Sequence, residues 1–237
     1  MSGLVDEKFR EWTTGLDGKD CMISIFRHIR DIPYSLVVPM NDQKTGQEQI
    51  LAIGKGCCGP KHYLLADMFQ KLGIEVVYAI FPFLWNDPDL HYPPRLRHLA
   101  AGLPVAYHLA CRVRINDRWV LVDATWDQPL NQAGFPVNEY WDGCTDTRCA
   151  VKPLRPTRRP AFCRPVPNIP YVPAAKEALT SHDREHNLQD CGDDTRRYSE
   201  GAEKRTPDDP ERVRRFHCEF DRWLVKMRAQ YRSSSVG

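Results

Sequence analysis

The hydrophobic positions of the chain follow helical spacing in its first third and strand-like spacing after that. Over residues 17–30, Cys21, Met22, Ile25, Phe26 and Ile29 recur at helical spacing, and Asp17 stands where an N-cap belongs. Asp31-Ile32-Pro33-Tyr34 ends that helix, because the residue before a proline is pushed out of the helical region. Residues 39–49 are polar and turn-rich. They lead through Ile50-Leu51-Ala52-Ile53 into Gly54-Lys55-Gly56-Cys57-Cys58-Gly59-Pro60. A second stripe, Tyr63, Leu64, Leu65, Met68, Phe69 and Leu72, then runs to a stop at Gly73. Pro60 is tolerated only near a helix start, which places the first turn at Cys58 or Gly59.

Residues 75–83 are rich in Val, Ile, Tyr and Phe and read as a buried strand. Residues 84–104 form a long proline-bearing connection with Trp85, Tyr92 and two histidines, the kind of loop expected to select substrate. Residues 105–115 and 118–124 read as a hairpin turning at Asn116-Asp117. This order predicts an α+β fold with an antiparallel sheet. Beyond Trp126 the pattern fades. Residues 127–175 are rich in proline, 176–207 are strongly charged and read as mobile, and 208–232 regain a helical pattern through Val213, Phe216, Phe220, Trp223, Leu224 and Met227. The expected organisation is an N-terminal helical segment (1–31), a core (32–130), a proline-rich and charged wrapping arm (131–207) and a C-terminal helix that packs back on the core (208–237).

Composition narrows the function classes. A chain of 237 residues, 42% hydrophobic and 27% charged, can bury a sizeable core. A formal net charge of +2 gives no global pull toward nucleic acid or membrane. No apolar run is long enough to span a bilayer, and the first residues lack the basic-then-apolar layout of an export signal. A soluble cytoplasmic protein is expected. Nine cysteines, an odd count, do not suit a disulfide framework without such a signal. Cys21 and Cys111 sit among apolar neighbours as small buried hydrophobes, and adjacent Cys57 and Cys58 are poorly placed for an ordinary bridge.

Cys58 is the candidate nucleophile. A thiol attacks a carbonyl as thiolate, and both a helix N-terminus and a nearby imidazolium favour that form. Cys58 opens the predicted helix, whose free N–H groups also sit where an oxyanion would develop. Gly56 and Gly59 let a substrate approach the backbone. The same segment also reads as a tight loop before a core helix, holding two packed cysteines. His108, on the first hairpin strand, reads by itself as a structural histidine. The hairpin changes that. A two-residue turn sets Ile115 opposite Arg118, which carries back to place Asp123 opposite Ala110 and Thr125 opposite His108. His108 and Asp123 then share a face two residues apart, within reach of a side-chain hydrogen bond. A base and its orienting carboxylate need that relation. Thr125 is a rival partner for the imidazole.

Gly56-Cys57-Cys58-Gly59-Pro60-Lys61-His62, followed by Leu64-Leu65 and Leu72-Gly73-Ile74, resembles the nucleophile block of the transglutaminase-like superfamily of papain-type folds. The hairpin with His108, and Trp119-Val120-Leu121-Val122-Asp123-Ala124-Thr125-Trp126-Asp127, is similar to its second and third catalytic blocks. The resemblance covers residues 32–127. It implies a nucleophile helix packed on an antiparallel sheet, with Cys58 as nucleophile, His108 as base and Asp123 as orienter; the motif register falls on Cys58, not Cys57. The chain departs from the family where an aromatic residue commonly follows the histidine, since it reads His108-Leu109-Ala110. Gly56, Gln49, Tyr34 and Trp85 are candidate substrate or oxyanion residues, with Asn41 and Gln47 further side-chain donors.

Other constellations carry less. His182, His186 and Cys191, with Cys144, Cys149 and Cys163, have some of the donors of a zinc site but no Cys-x-x-Cys knuckle. The basic run 155–164 reads as a solvated arm, and Lys61 and His62 read as residues that point elsewhere than the nucleophile, either supporting the site from behind or packing. The sequence therefore leads to a cysteine acyl-transfer enzyme without metal or cofactor, acting on a small-molecule or peptide acyl substrate. His108 would take the thiol proton and return one to the leaving group, with water or an amine as acceptor. The alternative is a non-catalytic transglutaminase-like binding or interaction module.

Overall fold

The computed structural model describes residues 3–37, 45–154 and 209–234. Its elements are α1 (Leu4–Thr13), α2 (Gly18–Asp31), α3 (Gly46–Ile53), α4 (Cys58–Lys71), β1 (Val76–Phe83), α5 (Pro94–Ala101), β2 (Ala106–Ile115), β3 (Arg118–Val122), a 3-10 turn (Gln128–Ala133) and α6 (Pro210–Ser234). Among the described residues the strands form one antiparallel sheet in the order β1-β2-β3. The fold is α+β.

The sheet follows the sequence register. Ile115 pairs with Arg118 and Cys111 with Val122, and Asn116 and Asp117 take the left-handed backbone (φ 49 and 60) that a two-residue hairpin turn demands. β3 stops at Val122, two residues short of the expected end. Side chains there take over from the ladder: the Asp123 N–H donates to Thr147 Oγ1 and the Ala124 N–H to His62 Nε2. The chain thus leaves the sheet one residue before the candidate carboxylate. Asp17 occupies the N-cap position of α2, but its side chain makes no capping bond.

Two hydrophobic clusters organise the interior. In the first, Leu64, Leu65, Met68 and Phe69 of α4 pack on Leu109, Cys111 and Val113 of β2 and Val120 and Val122 of β3, with Ile25, Phe26 and Ile29 of α2 behind them. The alternation that turns Leu109 and Cys111 into this core sends His108 and Ala110 to the opposite face. The second cluster gathers Tyr34, Phe83, Trp85, Tyr92, Trp126 and Phe135 around Phe216, Phe220 and Leu224 of α6.

That second cluster corrects two expectations. The 84–104 connection is no open loop: it contains α5, and Trp85, Leu90, Tyr92, Leu96 and Leu99 are all buried. Leu130, Ala133, Phe135 and Val137 likewise build core instead of merely wrapping one. These apolar residues are spaced irregularly, so no period revealed them. Residues 155–208 hold the basic run, the charged stretch and His182, His186, Cys191 and Cys163, and lie outside the described residues. No helix among the described residues is long and apolar enough to cross a membrane.

Candidate functional site

Cys58 is the first residue of α4, with Cys57 at the N-cap in extended conformation. Cys57 caps the helix with extended backbone and Pro60 has no N–H, so the amides without an intrahelical partner are those of Cys58 and Gly59, the latter directed at the Cys57 thiol. Cys58 is half-buried and packs against both hydrophobic clusters, so the thiol sits at their seam. The extended segment that follows α2 runs beside the turn that carries it. Tyr34 and Gly56 form an isolated parallel bridge, in which the Ser35 N–H donates to Gly56 O and the Gly56 N–H to Pro33 O.

His108 and Asp123 are brought together as the hairpin register required. His108 Nε2 lies 2.8 Å from Asp123 Oδ2, and both side chains are almost wholly buried. The Cys58 thiol lies near enough to His108 for each to shift the other's protonation. Thr125, the rival partner, instead donates its hydroxyl to Asp123 Oδ1 at 2.6 Å. Asp123 also accepts the Ala150 N–H at 2.7 Å and the Thr125 N–H at 3.2 Å. A carboxylate so furnished with donors stays ionised although it is out of water.

The charges follow from this geometry. Burial pushes the Asp123 carboxyl up, but the imidazolium of His108 and the hydrogen bonds outweigh it and hold the group well below the carboxylate range. Burial disfavours the His108 cation too, yet the Asp123 charge and hydrogen bond and the Cys58 thiol raise it to about 10. The Cys58 thiol is pushed up, first by its hydrogen bond with the Cys57 thiol and then by burial, while His108 pulls it down. Cys57 moves the opposite way, lowered by the same thiol–thiol contact.

The other candidates divide. Tyr34 is buried beside the thiols: burial raises its phenol, and charge on Cys58 or Cys57 would raise it further. Gly56 lines the same segment. Gln49, by contrast, is exposed on α3, with its amide on Thr45 Oγ1 at 3.2 Å. Trp85 is buried in the aromatic cluster against Phe83, Phe216 and Phe220, where it serves packing. Asn41 lies outside the described residues.

Several residues around the couple escaped the sequence. His62 and Lys61 turn to backbone groups around the couple and not to the thiol. His62 Nδ1 faces the Cys58 carbonyl at 2.8 Å, and Lys61 Nζ donates to the carbonyls of Arg30, Ile32 and Thr125. Residues 147–150 form a strap along the carboxylate. Thr147 binds the Asp123 N–H, Ala150 binds its Oδ2, and Cys149 brings its sulfur close to both His108 and Asp123. The His62 spacing, one turn after Cys58 on the same helix face, was the one signal available for it. Thr147 and Cys149 had none.

His108, Asp123 and Cys149 are close enough to one another to suggest a metal site. The donor set does not suit one. His108 Nε2 and Asp123 Oδ2 already share a 2.8 Å hydrogen bond, and burial pushes the Cys149 thiol up to about 12, away from the thiolate a metal needs. The broad surface hollow beside Arg27, His28, Asp31 and Gly54 contains none of these residues.

No family model and no curated protein matches the sequence. Among solved structures, a chain described as a "Putative Cysteine Protease" from Cytophaga hutchinsonii is similar at a TM-score of 0.38 and 18% identity. The match covers 54% of this chain and 38% of that one, so this chain spans well under half of that protein's length.

Proposed function

We propose that the protein is a cysteine-nucleophile acyl-transfer enzyme with a transglutaminase-like, papain-type core. The observation that carries this reading is the buried His108–Asp123 hydrogen bond, its carboxylate saturated with donors, set beside a cysteine that opens a helix. Cys58 attacks the carbonyl of an amide, ester or thioester as a thiolate paired with the His108 imidazolium. The first amides of α4 receive the developing oxyanion. The imidazolium gives its proton to the leaving group, and a thioester to Cys58 remains. Neutral His108 then takes a proton from water or an amine as that acceptor attacks, the acyl product leaves, and the thiolate–imidazolium pair is restored.

A non-catalytic module of the same fold is the second reading. The upward push on the Cys58 thiol favours it, since a protonated sulfur does not attack. The His108–Asp123 couple favours catalysis. Intact-mass measurement after exposure to activated acyl donors (a p-nitrophenyl ester series and short peptide thioesters) separates the two. A single acyl adduct on wild type and on Cys57→Ala, lost in Cys58→Ala and slowed in His108→Ala, is the expected result. Equal labelling of wild type and Cys58→Ala would overturn it.

A further inference from the structure

The segment that flanks the thiol has two edges. One edge pairs with Gly56, as described above. The other belongs to α6, which lies far away in the sequence. Asp221 accepts the Leu36 N–H at 2.9 Å, the Val37 N–H at 3.3 Å and the Ser35 hydroxyl. Arg228 donates to Tyr34 O at 2.9 Å and forms a two-pronged ion pair with Asp127, at 2.7 Å to each oxygen. Asp127 Oδ1 in turn accepts the Tyr34 N–H at 2.9 Å. Both partners of the ion pair are well buried, with side chains 14% and 3% exposed.

Asp221 and Arg228 stand at i and i+7, so they face the same side of α6 as Phe220 and Leu224. That face would pack adequately through its apolar residues alone. A buried guanidinium and a carboxylate aimed at backbone groups cost desolvation that packing does not require. What they add is definition. Each polar group they bind belongs either to the 34–37 segment, one hydrogen-bonded pair from Gly56 and Cys58, or to Asp127, four residues beyond Asp123.

We infer that Asp221 and Arg228 are positioning residues for the candidate site: α6 fixes the 34–37 segment, and that segment fixes the Gly56–Cys58 turn relative to His108. The inference rests on the reading of Cys58 as the reacting thiol. It makes the C-terminal helix part of the catalytic apparatus, though none of its side chains meets the reacting atoms. The planar fork of Arg228 matters as well as its charge, because one side chain must serve Asp127 and Tyr34 O at once.

The test uses the full chain with Arg228→Met, Arg228→Lys and Asp221→Asn. Iodoacetamide alkylation of Cys58 is followed by peptide mapping against pH, and amide exchange is measured at Gly56. Circular dichroism and thermal melts establish which variants are folded. Misplacement by about an ångström slows such chemistry by up to a hundredfold, so Arg228→Met and Asp221→Asn are expected to slow Cys58 alkylation by about tenfold or more. They should also raise the pH midpoint, since a thiol displaced from His108 loses the interaction that lowers it, and should speed exchange at Gly56. Arg228→Lys should recover part of the loss. Folded variants with wild-type alkylation, midpoint and exchange would overturn the inference. If Arg228→Met fails to fold, Asp221→Asn decides it, because that change leaves the Arg228–Asp127 pair in place. Failure of the catalytic reading looks different: His108→Ala would then leave Cys58 alkylation unchanged, while exchange at Gly56 would still report on α6.

Discussion

His62 Nε2 accepts the N–H of Ala124 at 3.1 Å while its Nδ1 meets the Cys58 carbonyl at 2.8 Å. One ring therefore ties the first residue of the nucleophile helix to the residue after Asp123. The arrangement requires a neutral ring, with the hydrogen on Nδ1 and the lone pair on Nε2. A proton on Nε2 would set two N–H groups against each other.

This gives a pH dependence with a definite sign. Burial pulls the His62 cation down from 6.5 to about 4, against the attraction of Asp123. A histidine depressed in the folded state contributes stability that is fully present above its unfolded value and lost as pH falls toward the folded one. Stability should therefore drop by roughly 3 kcal/mol from this group as pH falls from 6.5 to 4. Urea unfolding at a series of pH values measures it, and His62→Gln should flatten the slope in that window. Parallel slopes for the two proteins would refute the assignment.

The Asp123 carboxylate has a separable role. It holds His108 cationic and oriented, so Asp123→Asn should leave the thiol in place but lower the imidazole pKa and allow the wrong tautomer. A loss in acyl-transfer rate on the order of 10³ to 10⁴-fold is expected, as for a carboxylate that orients a catalytic histidine. Titration of His108 by NMR should show its midpoint moving down from the alkaline range. An unchanged midpoint would mean that burial, not Asp123, governs the ring.

His108 and Asp123 were legible because a hairpin turn of fixed length converts sequence separation into register. Only two facts were needed, the Asn116-Asp117 turn and the period of two. Cys58 was legible because Gly56 and Pro60 bracket a helix start. Asp127, Asp221 and Arg228 were not, because a buried ion pair between residues a hundred positions apart leaves no local pattern. The second core was hidden for a related reason. Trp85, Tyr92, Trp126 and Phe135 pack through irregular loops, where neither helical nor strand period orders the apolar positions. Gln49 misled because its type suits an oxyanion donor, while the face of α3 that carries it is exposed.

Cys57 offers a change that should strengthen the nucleophile. Its thiol is the largest influence raising Cys58, and His108 is what opposes it. Cys57→Ala removes the first and keeps the second. The pH midpoint for Cys58 alkylation should move to lower pH, and the rate at neutral pH should rise. In His108→Ala the midpoint should move the other way. The two shifts are read from alkylation rates over pH 6–11, resolved by peptide mapping. A Cys57→Ala midpoint at or above wild type would show that the thiol–thiol contact does not control the reacting sulfur.

Lys61 poses the sharpest electrostatic question. Burial pulls its ammonium down to about 7, which would leave it half neutral at physiological pH. The geometry argues for the charged form. Nζ donates to Arg30 O at 2.9 Å, Ile32 O at 2.8 Å and Thr125 O at 2.6 Å. Three acceptors need three hydrogens, and only the ammonium has them. Those carbonyls come from the end of α2, the turn after it and the residue two past Asp123, so one cation joins three stretches that the backbone ladders do not. Lys61→Met fills the volume but strands the carbonyls in a dry interior, each costing about 1–3 kcal/mol unless water enters. A net destabilisation of about 2–5 kcal/mol is expected, because relief of the buried charge offsets part of that loss. Urea unfolding of Lys61→Met at neutral pH checks it. Stability equal to wild type would mean that Lys61 is neutral and dispensable, and that α2 and the Asp123 turn are held together by packing alone.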